Sequence, residues 1–207
     1  MNKARVRWDS QTVSKADRLA RAADVADGKW VKHENATGLL ERVLRPGDRV
    51  CLEGNNQKQA DFLAEALAAV DPQRVSGLHM LQSVVALPAH LALFEKGIAK
   101  EIDFSFSGPQ SVRLASLVTE GKIRINAIHT YLELFGRYFV DLTPNAALVA
   151  ADAVDDAGNL YTGPNPKTRR RSSRQTHLRT ASSSPRSTAG CRLCRASMCR
   201  RVRWILS

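Results

Sequence analysis

The chain has 207 residues, with 31 Lys and Arg against 20 Asp and Glu, a formal charge of +11. That excess would suit a polyanion binder, but residues 166–207 hold Lys167, eleven arginines and no acid, which leaves 19 basic and 20 acidic residues in 1–165. The body therefore reads as a near-neutral domain large enough for one core, and attraction to polyanions belongs to the tail alone. Met1–Asp17 lacks the apolar segment of a signal peptide, and no apolar run reaches the length of a bilayer span. Cys51 is the body's single cysteine, expected as a small hydrophobe on a buried strand, so the setting reads as reducing and cytoplasmic.

In chain order, residues 12–26 read as a polar, Ala- and Arg-rich helix stopped by Asp27-Gly28, and Asn35 to Leu44 as a second helix. Pro46-Gly47-Asp48 introduces a short strand, Val50-Cys51-Leu52, and Ala60, Leu63, Ala64, Leu67 and Val70 mark the helix after it. Val75–Leu81 reads as a strand, and Pro88 opens a helix bearing Leu91, Phe94, Ile98 and Ala99. Ile102–Phe106 alternates as a strand and ends at Ser107-Gly108-Pro109-Gln110, from which a helix runs to Val118. Ile123–Ile128, Tyr131–Val140 and Ala146–Ala151 read as strand, helix and strand, and Asp155–Asn159 as a turn. Strands alternating with helices at this spacing predict an α/β fold whose largely parallel sheet is flanked by helices on both faces.

The most informative stretch is Glu53-Gly54-Asn55-Asn56-Gln57, between a strand and a helix. Such a turn lies at the carboxyl edge of a sheet, where open α/β sheets bind ligands and helix N-termini attract anions. Gly and Asn also serve ordinary turns, but a tight turn does not need Asn-Asn-Gln after its glycine, which favours a ligand site. Gly108, Gln110 and Ser111 form a second strand-to-helix turn with side-chain donors, though Ser111 equally suits a plain cap. His129, at a strand end, is placed to orient a carboxylate or move a proton, though a lone histidine there more often serves as a satisfied structural residue; His79, inside an apolar strand, reads as structural.

The tail from Pro166 onward has no apolar period. It fits a disordered basic arm for nucleic acid or an acidic partner, a metal knuckle around Cys191, Cys194 and Cys199, or off-frame translation of a GC-rich gene. The knuckle lacks a fourth ligand at a usual spacing.

Several segments together resemble the malonate decarboxylase α-subunit family. They are EGNNQKQADFL at Glu53–Leu63, LHML at Leu78–Leu81, DFSF at Asp103–Phe106 with Gly108-Pro109-Gln110-Ser111, and AIHTYLEL at Ala127–Leu134. Asp141-Leu142, Pro144-Asn145, ALVAAD at Ala147–Asp152 and DAGNLYTGPN at Asp156–Asn165 complete the series, in order, over residues 46–165. The resemblance stops abruptly at Asn165, while the family continues with mixed acidic and apolar sequence, which favours a frameshifted tail. It implies a coenzyme-A-transferase-like first domain at 46–165, an N-terminal helical segment at 1–45 packed on it, and an Arg/Ser-rich tail at 166–207.

The chemistry implied is exchange of acetyl for malonyl on a carrier-protein thiol, ahead of decarboxylation to acetyl thioester and CO2. The thiol belongs to a phosphopantetheine-type arm derived from dephospho-coenzyme A, carried by the acyl carrier protein subunit. Carrier and decarboxylase subunits are the expected partners and malonate and acetate the small molecules, with no nucleic acid, membrane, metal or covalently bound cofactor. Gly54, Asn55, Asn56, Gln57, Gly108, Gln110 and His129 are the expected thioester and substrate contacts. Glu53 is the candidate carboxylate nucleophile, since related transferases pass through an acyl-glutamyl anhydride; a helix-start acid is the plainer role. A chain with only the first domain is expected to be inactive alone. The rival expectations are a non-catalytic assembly subunit and a basic binding module acting through the tail.

Overall fold

The computed structural model describes residues 8–27, 30–54, 59–151, 153–154, 159–161 and 201–203. Helix α1 (Trp8–Ala22) is followed by strand β1 (Trp30–Lys32), a single 3-10 turn and helix α2 (Ala36–Val43). Four strand–helix units follow. They are β2 (Arg49–Leu52) with α3 (Asp61–Ala68), β3 (Leu78–Val84) with α4 (Pro88–Glu95), β4 (Ala99–Phe106) with α5 (Ser111–Thr119), and β5 (Arg124–Ile128) with α6 (Tyr131–Val140). Strand β6 (Ala146–Leu148) closes the sheet, and β7 (Ala153–Val154) pairs antiparallel with β8 (Leu160–Tyr161), while 155–158 of the turn expected at 155–159 lie outside the described residues.

Every pairing in the main sheet is parallel, in the order β5-β4-β3-β2-β6. The chain steps outward from β2 to β5, then returns across the sheet to place β6 on the free side of β2. Helix α3, which follows β2, lies on one face of the sheet and α6, which leads into β6, lies on the other; the crevice of an open α/β sheet lies at such a reversal.

Alternation along the strands sorts the core into two unequal halves. Val50, Leu52, Met80, Ile102 and Phe104 point to the face covered by α3, α4 and α5, where they pack with Leu67, Leu91, Phe94 and Leu117. Cys51 and Leu81 point the other way and meet α6 through Leu134 and Tyr138, with Leu142 just beyond the helix. The sheet is thus flanked on both faces, but the second is covered less completely than its apolar sequence led one to expect. One helix spans β2 and β3, while Arg124, Asn126 and Ile128 of edge strand β5 stay exposed.

Helix α1 is tied to the entrance of β2 by a buried bidentate pair, Arg18 to Asp48, whose carboxylate also accepts the Arg45 N–H at 2.8 Å. Several boundaries moved: the first helix, expected at 12–26, runs Trp8–Ala22, and the strand expected at Ala146–Ala151 ends at Leu148. The strand expected at 75–81 begins at Leu78, because Gly77 at φ 65° ends the preceding turn. The helix opened by Pro88 ends at Glu95, so Ala99 belongs to β4. Of the tail, Arg201–Arg203 forms β9 and pairs antiparallel with β1, so the expected absence of order does not hold for these three residues. Tail residues 166–200 and 204–207, with their cysteines, lie outside the described residues. Among the described residues no helix is long and apolar enough to cross a membrane.

Candidate functional site

Parallel βα units bring the ends of β2, β3, β4 and β6 and the first turns of α3, α4 and α5 to one edge. Glu53, just past β2, is buried at that edge. Its N–H donates to Leu148 O at 2.9 Å, and its Oε2 accepts the Ala150 N–H at 2.8 Å. The residue therefore clasps β2 to the chain leaving β6, at the point where the sheet's connections reverse. Helix α3 begins only at Asp61, so Glu53 is not the helix-start acid of the plainer expectation.

Gly54 bridges Gln59 across the base of the turn. A Cβ on Gly54 would stand 2.4 Å from Gln59 Oε1 and 3.7 Å from Val84 O, which places this glycine against the end of β3. Asn55, Asn56 and Gln57 lie outside the described residues. The second expected turn comes to the same place. Gly108 sits at φ 50°, a left-handed conformation that suits glycine, with Val85 O 3.9 Å from where its Cβ would be. Gln110 Nε2 donates to Ala86 O at 3.3 Å. The turns after β2 and β4 thus close on the β3 exit from either side.

Helices α3, α4 and α5 start here without a side-chain cap, whereas Thr130 caps α6 by accepting the Glu133 N–H at 3.2 Å. Three uncapped positive helix ends give the edge a bias toward anions.

Three polar side chains behind this edge were not singled out from sequence. Gln82 is 1% exposed, one step before the end of β3 and opposite Phe104 on the helix-covered face, and its amide has no partner among the described residues. His90, in the first turn of α4, is equally buried with both ring nitrogens unpartnered, and burial pushes its pKa down to about 4. Ser105 Oγ, near the end of β4, also lacks a partner among the described residues. The readable signal for Gln82 was a lone amide inside the apolar run LHMLQSVVAL.

His129 belongs to a different cluster. Its Nε2 lies 2.6 Å from Asp103 Oδ1, while His79 Nε2 lies 2.6 Å from Oδ2 of the same buried carboxylate. Nδ1 of His129 is 3.2 Å from Glu133 Oε1, a charge contact without hydrogen-bond alignment. Asn126 Nδ2 donates to Glu101 Oε2 at 3.0 Å, which holds that carboxyl below its usual range, and lies 3.4 Å from Asp103. The cluster sits on the second face, away from the two turns, and His79 takes the structural position expected of it. Cys51 is buried with Sγ 3.8 Å from the Tyr138 hydroxyl, and burial pushes its thiol up to about 11. A thiol protonated at neutral pH is a poor acyl acceptor.

With this geometry in hand, comparison with known proteins is specific. A family model described as malonate decarboxylase, alpha subunit, transporter, matches residues 7–173, which takes in α1 and runs past Asn165. The acetyl-S-ACP:malonate ACP transferase of Malonomonas rubra is 51% identical over 166 residues, covering 80% of this chain and 30% of the relative. The crystal structure of a malonate decarboxylase alpha subunit from Acinetobacter baumannii matches at 47% identity and TM-score 0.74, over 76% of this chain and 29% of that one. A Pseudomonas malonate decarboxylase hetero-tetramer in complex with malonate matches at 52% identity and TM-score 0.74, over 77% and 29% respectively. The chain thus spans under a third of the length of these relatives.

Proposed function

Because this chain belongs to the malonate decarboxylase α-subunit family, we propose that it supplies the first α/β domain of an acyl-transfer site that exchanges acetyl for malonyl on a carrier-protein thiol. Malonate and the acetylated arm of the carrier are the substrates; malonyl thioester and acetate are the products. The arm is the phosphopantetheine-type group borne by the carrier subunit.

The observation that carries the reading is the convergence of the Gly54 and Gly108 turns on the β3 exit, at the reversal between β2 and β6. A thioester under attack develops negative charge on its carbonyl oxygen, and malonate is a dianion. Uncapped helix starts and the nearby amides of Gln82 and Gln110 stabilise both without introducing a competing positive charge. Glycine at positions 54 and 108 keeps side chains out of the approach to the backbone. Glu53 acts in this reading by clasping β2 to Ala150 and so fixing the turn, rather than by attacking the acyl carbon.

Grafting residues 1–165 in place of the matching part of the full-length Malonomonas rubra transferase provides the test, with labelled malonate followed onto the acetylated carrier. The graft is expected to exchange acyl groups. Replacing Gly54 by Val in the graft is expected to cost about 10²–10³ in turnover, the usual loss when an oxyanion donor is displaced, with a lower melt as well, since the new side chain pushes against Gln59. A soluble, normally melting graft that exchanges nothing would refute the reading. Glu53→Gln keeps an oxygen for the Ala150 N–H and is expected to retain most turnover; complete loss would make Glu53 the acyl-accepting carboxylate instead. The purified 207-residue chain is expected to give no exchange by itself.

A further inference from the structure

Helix α6 carries two apolar stripes, and the fold buries one. Leu134 and Tyr138, one turn apart, face Cys51 and Leu81. Leu132, Phe135, Phe139 and Val140 recur at three- and four-residue spacings on the outer side, and Ile128 at the end of β5 extends the row. Leu132 is 73% exposed, Val140 81% and Ile128 65%. Phe135 and Phe139 already stack edge to face, with ring centroids 5.2 Å apart. Glu133 and Arg137 lie between the two stripes, and an exposed apolar patch of this kind marks an interface.

Gly136 gives an independent indication. It lies one turn from both Leu132 and Val140, in the middle of the helix, where glycine is unfavourable. A Cβ there would meet nothing within 4 Å, so nothing in this structure calls for glycine. Between two exposed aliphatic side chains it leaves a notch into which another backbone can settle.

The relatives say what that backbone belongs to. This chain covers 29–30% of their length, so most of their polypeptide packs somewhere beyond the segment matched here. Ala147 of β6 packs in the same cluster as α6, so the chain after this helix returns to the sheet beside it. An all-parallel sheet takes cover on both faces, and among the described residues one helix covers the second face. We infer that the outer row of α6, centred on Leu132, Gly136 and Val140, is the docking surface for the family polypeptide beyond the segment this chain matches.

The test compares one pair of substitutions in two settings. Leu132→Glu with Val140→Glu in the 207-residue chain is expected to leave the melting temperature within about 2 °C of the parent, since both side chains face solvent. Glutamate at the two aligned positions of the full-length Malonomonas rubra relative is expected to lower its melt by more than about 4 °C and open it to protease between the matched segment and the remainder. Gly136→Ala in the 207-residue chain is expected to raise its melt slightly. Equal tolerance in chain and full-length relative would overturn the inference. So would a full-length variant that melts normally but drops out of its subunit assembly, which would make another subunit the occupant. A dimer of the 207-residue chain in sedimentation, broken by the double substitution, would assign the surface to a second copy and overturn it as well.

Discussion

The carboxyl edge of the sheet and the Asp103 cluster on its second face are both polar and both largely buried, yet they treat their polar atoms differently. In the cluster each Asp103 oxygen is met by an imidazole at 2.6 Å, and Asn126 links that carboxylate to Glu101. At the edge, the Gln82 amide and the His90 ring have no partner among the described residues, and three helices begin without a side-chain cap. A buried polar group without a partner costs stability, so folds retain few of them. The difference separates a network that holds strands together from an edge left with capacity to bind.

The largest expected effect comes from breaking the satisfied region. Asp103→Ala strands the buried His129 imidazole and the half-buried His79, and removes a charge-assisted tie between β3, β4 and the start of α6, at a cost of roughly 3–5 kcal/mol. Denaturant unfolding measures it; a loss under 1 kcal/mol would mean the cluster is not the tie it resembles.

Acidification probes the unsatisfied region. His90 has a folded pKa of about 4 against 6.5 in the unfolded chain. Between those values the unfolded state binds the extra proton, so stability rises with pH there. The contribution is complete above pH 6.5 and lost as pH falls through 4, a change of the order of 3 kcal/mol. His90→Leu is expected to flatten that limb of the stability-against-pH curve, and an unchanged limb would show that the ring is not desolvated.

Gln82→Met should have a smaller effect of opposite sign. Removing an amide without a partner while keeping its volume is expected to stabilise the chain by about 1 kcal/mol, whereas the same change in the functional graft is expected to slow exchange. Loss of stability instead would mean that the amide has a partner.

Much of this architecture was legible because it depends on periodicity. The run Val50-Cys51-Leu52 and the alternation at Ile102–Phe106 each led to the element found. The β2-to-β6 adjacency was not legible, since it joins residues such as Arg49 and Asn145, whose Oδ1 accepts the Arg49 N–H at 2.9 Å across 96 positions of sequence. His129 shows the same limit at the level of a site. Its place at a strand end was readable, but not that Asp103, from the neighbouring strand, would claim its Nε2. Gly54, Gly108 and Gln110 were legible as turn residues, and their convergence on Val84–Ala86 followed only from the parallel register. Partnerless Gln82 and His90 could not be recognised as such, because satisfaction of a polar group is a property of what packs around it.

Amide chemical-shift mapping of the 207-residue chain, titrated with malonate and separately with a short acetyl thioester, tests the contrast between the two regions most directly. The account predicts that perturbed amides gather at Glu53, Gly54, Val84–Ala86, Gly108–Gln110 and Ala150, with His79, Asp103 and Asn126 unmoved. Perturbations gathered instead around His79, Asp103 and Asn126 would contradict it and move the binding site to the second face.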